Sequence, residues 1–251
     1  MRPTALLTGF ILAVGALTMT TGAQTPADNT LTAAEQKAGW KLLFDGKTID
    51  QWRGFKMETV PPGWTVEAGA LVHSPPVRDP QTNVRPRTRD IISAEQYSDF
   101  DFKFEWRLAP APPAGNSGVM FYVTTEGDET YFSGPEYQIL DNATHPDGKN
   151  PLTSAGSCYA IYAPTRDATR PIGEWNESRI VISKGKAEHW LNGERVVQYD
   201  MNSDEWKAKV LGSKFKEWPI FGVARRGHIA IQQHGAKVAF RNMKIMALDA
   251  K

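Results

Sequence analysis

From Phe100 to Leu108 the chain reads Phe-Asp-Phe-Lys-Phe-Glu-Trp-Arg-Leu, an unbroken alternation of apolar and charged side chains. Successive residues of an extended strand point to opposite faces, so this segment buries one side and wets the other. Wound into a helix, the same apolar residues would scatter round the circumference. So long a half-buried strand needs a second layer over its aromatic side, which directs the chain toward packed antiparallel sheets.

The rest of the sequence keeps that rhythm. Residues 119–123, 136–140 and 179–183 read as strands, and Gly, Pro, Asn and Asp punctuate the chain at short intervals. Segments 188–191 and 195–199 flank Asn192-Gly193, a hairpin signal because both turn positions accept positive φ. Segments 228–233 and 238–246 are expected to form a second pair around Gly235. Two capping boxes, Thr32-x-x-Glu35 and Asn202-x-x-Glu205, mark short helices, one ending near Gly39 and the other running through Trp206 toward Phe215. The expected fold is all-β, a jelly-roll β-sandwich with one curved face and one or two short peripheral helices.

The first residues belong to export rather than to the fold. Arg2, an apolar run over residues 5–17 and the small residues Gly22-Ala23 predict a secretory signal peptide over residues 1–23, cleaved near Ala23. A leader over residues 24–31, expected to be disordered, and one catalytic β-sandwich domain over 32–251 follow. The protein is thus expected to be secreted, periplasmic or extracellular, with no membrane insertion of the mature chain. The formal charge of +1 falls to zero when Arg2 leaves, and nothing recommends a nucleic-acid partner. The single cysteine, Cys158, permits no internal disulfide and reads as a small buried hydrophobe.

Candidate chemistry lies in polar residues at period two on strands whose other side is apolar. In Glu136-Tyr137-Gln138-Ile139, the carboxyl and the amide share one face; from His228, Gln232 and His234 point together if Ile229 and Ile231 pack inward. A carboxylate and amides on an open sheet face bind hydroxyls, and the carboxylate can also act as a base. Asp141, His145 and Lys149 follow in a loop rich in Asn, Pro and Gly, and Asn116-Ser117-Gly118 opens another strand. Eight tryptophans supply core, and one or two on an open face would suit stacking on sugar rings, as an exposed Trp52 or Trp64 would in a protein that only binds glycan.

Several of these segments carry a resemblance. Leu43-Phe44-Asp45-Gly46-Lys47 with Trp52, Phe102 to Trp106, Asn116-Ser117-Gly118, Glu136-Tyr137-Gln138 with Asp141-Asn142, Gly173-Glu174-Trp175-Asn176, His189-Trp190-Leu191-Asn192-Gly193, Gly227-His228-Ile229 with Gln232 and His234-Gly235, and Phe240-Arg241-Asn242 closely resemble the 3-keto-disaccharide hydrolase domain family, in order over nearly the whole mature chain. The resemblance implies a concanavalin-like jelly roll, exported, that acts on 3-keto-glycosides supplied by a sugar 3-oxidoreductase. It implies a base at carbon 2, taken as Glu136 or His145, and His234 as acid or oxyanion donor. Arg107, Asn116, Gln138, Lys149 and Gln232 are then expected to bind substrate, with Asp141 orienting His145. A divalent cation held by Glu136, Asp141 and the histidines stays open, because their spacing is not diagnostic. A carbohydrate-binding module and an ordinary two-carboxylate glycosidase are the rival readings.

Overall fold

The computed structural model describes residues 27–110 and 112–248. The expected signal peptide and the first residues of the expected leader lie outside them. Helix α1 (Ala33–Ala38) forms on the expected capping box, with Thr32 Oγ1 accepting from the Glu35 N–H and the Glu35 carboxylate from the Thr32 N–H; Gly39 ends it at φ 91°. Strands then follow as β1 (Lys41–Leu42), β2 (Trp52–Gly54), β3 (Trp64–Glu67), β4 (Ala70–His73), β5 (Ile91–Tyr97), β6 (Phe100–Leu108), β7 (Asn116–Val123) and β8 (Glu136–Leu140). After a long loop come β9 (Asn176–Ser183), β10 (Lys186–Leu191), β11 (Glu194–Asp200), helix α2 (Asp204–Leu211), β12 (Gly227–Ile231) and β13 (Val238–Ala247).

All named pairings are antiparallel, and they make two sheets. The larger runs β11-β10-β9-β6-β13-β4-β3 with β1 also beside β13, and the smaller runs β2-β5-β12-β7-β8. This is the expected concanavalin-like jelly-roll sandwich. Phe100, Phe102, Phe104, Trp106 and Leu108 share one buried cluster with Val119, Phe121, Tyr137, Ile139, Ile229 and Ile231 of the smaller sheet. Each buried aromatic or large aliphatic side chain contributes about 1.5–3 kcal/mol. The charged side of β6 is not uniformly wet. Asp101 is buried because Arg179 on neighbouring β9 grips it through Nε and Nη2 at 2.7 and 2.6 Å.

One polar cluster crosses this core. The Tyr137 hydroxyl lies 2.8 Å from Ser178 Oγ on β9 and donates to the Trp190 carbonyl on β10 at 3.1 Å, while Trp106 Nε1 donates to Ser178 Oγ at 2.8 Å. The edge strand β8 is thereby fastened to the larger sheet, and the side chains on its other face gain a fixed base.

Four expectations are corrected. Strands β12 and β13 do not pair; they belong to different sheets, because both edges of β12 are taken by β5 and β7. Residues 28–30 are not a free leader: Asn29 exchanges hydrogen bonds with Asn242 and donates to the Gly69 carbonyl, and Asp28 meets Arg241. The cap of α2 is Ser203 rather than Asn202, whose amide donates instead to the Lys184 carbonyl; that helix ends at Leu211, short of Phe215. Trp52 and Trp64 are buried, their indole N–H groups donating to the Leu43 and Arg89 carbonyls. No helix among the described residues is long and apolar enough to cross a membrane.

The inter-sheet cluster predicts that Tyr137→Phe, which leaves the Trp190 carbonyl without its donor, lowers unfolding free energy by about 1–2 kcal/mol. Denaturant titration checks this, with the midpoint moving and the slope unchanged.

Candidate active site

The face of the smaller sheet turned away from the core carries the polar residues. Strand register places Gly118 opposite Gln138, Met120 opposite Glu136 and Ala230 beside Met120. The chain beyond β12 continues the row, with the Gln232 N–H donating to the Gly118 carbonyl and Ser117 Oγ to the Gln232 carbonyl. A cleft of about 470 Å³ opens on this face, its floor including Asp90, Asn116, Glu136, Gln138 and Gln232, with the exposed His234 at its rim.

Loops raise its walls. The turn Thr130–Phe132 contributes Tyr131, the loop after β8 contributes Asp147 and Tyr159, and the chain after α2 contributes Lys214, Phe215 and Trp218. That last wall rests on an aromatic stack: Trp206 lies parallel to Tyr199 at 5.3 Å and to Phe221 at 6.2 Å, and Phe215 stacks on Phe221 at 3.9 Å. Trp218, half-buried, is braced by Phe132 at 4.8 Å.

Glu136 is the central group. It is buried on the cleft floor with its carboxylate laid across Gly118, where any Cβ would collide with Oε1. Gln138, with its amide turned to suit its neighbours, donates to Glu136 Oε1 at 3.1 Å and to the Ser117 carbonyl at 3.0 Å. Burial pushes the Glu136 carboxyl up to about 8; the Lys214 charge opposes that rise and the Asp90 carboxylate adds to it. Asp90 is pushed up to about 6, again by burial, against hydrogen bonds from Thr130 Oγ1 at 2.5 Å and the Gln233 N–H at 3.0 Å. Two carboxyls held toward their protonated forms by burial in one cleft make it the candidate site for proton transfer.

The sequence expectations divide cleanly. Glu136, Gln138, Asn116, Gln232 and His234 converge on the cleft. His145 stands behind Asn116: its Nε2 is 3.4 Å from the Asn116 amide and its Nδ1 accepts the Asp147 N–H at 3.1 Å. Asp141 does not orient the His145 ring. Its carboxylate accepts from the Ala143 N–H and the Thr144 hydroxyl, and it lines a separate cavity of about 720 Å³ at the end of the sandwich. Lys149 is exposed and lines neither cavity. Arg107 lies on the other sheet, its guanidinium 4.7 Å above the Trp175 ring. Cys158 is buried with its thiol pushed up to about 12 by burial, and His189 is pushed down to about 4 in the core. Among the described residues no three His, Cys, Asp or Glu side chains gather as a metal site. Asp90 and Lys214 carry no local sequence signal: Asp90 precedes Ile91 and Ile92, which are both buried and do not alternate, and Lys214 sits in an irregular turn without pattern.

Residues 39–246 match the sequence profile of the 3-keto-alpha-glucoside-1,2-lyase-like domain. The chain belongs to this family. A protein of Bacteroides thetaiotaomicron named 3-keto-disaccharide hydrolase is 32% identical over 239 residues, covering 84% of this chain and 79% of that one. Two crystal structures from Parabacteroides distasonis, both provisionally described as glycosyl hydrolases, superpose on this family member. The first is 34% identical, with TM-score 0.78, and covers 89% of this chain and 100% of its own. The second is 25% identical, with TM-score 0.62, and covers 83% and 99%.

Two outcomes are expected at this site. Because the folded Glu136 holds its proton to about pH 8 against 4.5 for an ordinary glutamate, ionisation penalises the fold progressively as pH rises between those values. Glu136→Gln is therefore near wild type in stability at pH 4 and more stable at pH 9, by on the order of 3 kcal/mol after allowing for solvent in the cleft, as read by thermal melts. Gly118→Ala displaces the Glu136 carboxylate, so turnover falls by at least about tenfold while the circular-dichroism spectrum stays unchanged.

Proposed function

We propose that this protein cleaves 3-keto-glycosides in the cleft between Glu136 and His234. The family and the hydrolase-named relative support a carbohydrate-cleaving role, and one observation carries the finer reading. A buried carboxyl, pinned by Gly118 and Gln138, shares its cleft with amide and imidazole groups suited to sugar hydroxyls and a leaving oxygen.

A ketone at carbon 3 acidifies the proton on carbon 2. The Glu136 carboxylate takes that proton, and the C2–H electron pair moves toward the carbonyl to give an enediolate. Collapse of the enediolate forms the C1–C2 double bond as the C1–O bond breaks, and His234, at the cleft rim, protonates the departing oxygen. Water then adds at carbon 1, its proton passing to the His234 that gave one up, and Glu136 returns its proton to carbon 2, so the net change is hydrolysis and both residues are restored. Gln138, Gln232 and Asn116 hold hydroxyls and orient the ring. Of the two candidates for the base, Glu136 fits better, since the His145 ring is engaged behind Asn116. The same reading requires an upstream oxidation of the sugar at carbon 3 and is consistent with export directed by residues 1–23.

The mature protein is expected to release aglycone from a 3-keto-glucoside and to leave the unoxidised parent intact. Its kcat/KM should rise with pH toward about 8 as Glu136 ionises. Glu136→Gln and His234→Ala should each lower turnover by about 10²-fold or more. Cleavage of the unoxidised parent at a comparable rate, or wild-type rates in both variants, would sink the proposal.

A further inference from the structure

The proposed chemistry places negative charge on the carbon-3 oxygen when the carbon-2 proton leaves, and that charge needs a counterpart. The amides of Gln138, Gln232 and Asn116 can donate hydrogen bonds to it, but the floor of the cleft carries no cation and holds the carboxyls Glu136 and Asp90. The cleft wall supplies a cation. Lys214 opens the turn Lys214–Glu217, whose first residues are fixed by Ser213 Oγ accepting the Phe215 N–H.

Its surroundings separate it from the lysines nearby. Lys207 and Lys209 on α2 pair with Asp204 and Glu205, and Lys216 on the same turn is exposed and does not line the cleft. Lys214 takes part in no ion pair among the described residues and rests on aromatic rings instead, its Nζ 4.4 Å from the Tyr159 centroid and 5.3 Å from that of Phe215. Rings hold an ammonium in place without neutralising it. Its charge reaches the Glu136 carboxyl, where it is the foremost influence favouring ionisation. The backbone beneath is rigid, because Phe215 is buried against Phe221.

We infer that Lys214 is a catalytic residue of this site, a fixed cation that draws the substrate's carbonyl oxygen toward it and stabilises the enediolate formed when Glu136 removes the carbon-2 proton. The inference rests on the function proposed above. It narrows the substrate class to sugars that present an oxygen able to accept negative charge on the side of the ring nearest the Tyr159 and Phe215 wall. No bond forms to the lysine. The proton passes to Glu136, the electron pair to the carbonyl oxygen, and the ammonium remains an ammonium throughout.

Steady-state kinetics on a 3-keto-glucoside with wild type, Lys214→Met and Lys214→Arg tests it, after circular dichroism has verified that each variant is folded. Lys214→Met should lower kcat by about 10²- to 10³-fold with KM changed by less than about threefold, and Lys214→Arg should recover most of the loss. The residual activity of Lys214→Met should show its rising limb at higher pH than wild type, because Glu136 loses the cation that favoured its ionisation; a merely structural lysine would not move that limb. Near wild-type kcat in Lys214→Met, or a loss confined to KM, would overturn the inference while leaving the proposed function standing. Borohydride trapping of the 3-keto sugar on Lys214 would overturn it too, replacing a point charge by a covalent imine. An inactive wild type would remove the proposed function, and this inference with it.

Discussion

Everything at the cleft depends on how edge strand β8 is held. On one face Tyr137 and Ile139 enter the core, and the Tyr137 hydroxyl reaches across to Ser178 and the Trp190 carbonyl of the other sheet. On the opposite face, one residue away in each direction, stand Glu136 and Gln138. Strand β8 ends its sheet, and beyond β7 its outer edge is covered only by the loop segment 156–159, through the Gln138 N–H to the Ser157 carbonyl, the Gly156 N–H to the Gln138 carbonyl and the Tyr159 N–H to the Glu136 carbonyl. Here a buried hydroxyl network and an aromatic pair with Phe104 at 5.7 Å fix it in place, so a proton-transfer group gains the rigidity of the core without being inside it.

Period two explains what could be read from the sequence and what could not. It identified β6 and β8, and the Asn192-Gly193 turn identified the β10–β11 hairpin, because each signal is local. It also gathered Glu136, Gln138, Gln232 and His234 correctly, since the parity of Ile229 and Ile231 fixes which way their neighbours point. Parity says which face a residue occupies but not which sheet it belongs to. Arg107 alternates as properly as Gln138 does, yet it lies on the far side of the larger sheet. The same blindness made β12 and β13 look like partners, although the chain crosses from one sheet to the other near Gly235.

Loops carry no such parity. Asp141, His145 and Lys149 lie close to Glu136 in sequence, but nearness along the chain is not nearness in the cleft. The loop spends these side chains on its own turns: Asp141 on the Ala143 N–H and the Thr144 hydroxyl, and His145 on the Asp147 N–H. The cleft instead draws Asp147 and Tyr159 from further along that loop, and Lys214 from a segment more than seventy residues away. Such convergence is set by tertiary packing, chiefly by the Trp206, Tyr199 and Phe221 stack, and no local pattern encodes it.

Asp90 shows how the cleft's polar groups depend on one another. One of its oxygens accepts the Thr130 hydroxyl, in the turn that carries Tyr131, and the other accepts the Gln233 N–H, between Gln232 and His234. A single buried carboxyl thus ties a wall of the cleft to the strand end that presents the imidazole. The ionised form serves both donors, whereas a proton on either oxygen competes with one of them. The geometry is therefore best defined above about pH 6, where Asp90 ionises, and there its charge presses the Glu136 proton affinity upward. The clamp that orders the site also makes its base harder to ionise. A cation on the wall formed by residues 214–218 answers that conflict, since Lys214 favours ionised Glu136 without touching the Asp90 hydrogen bonds.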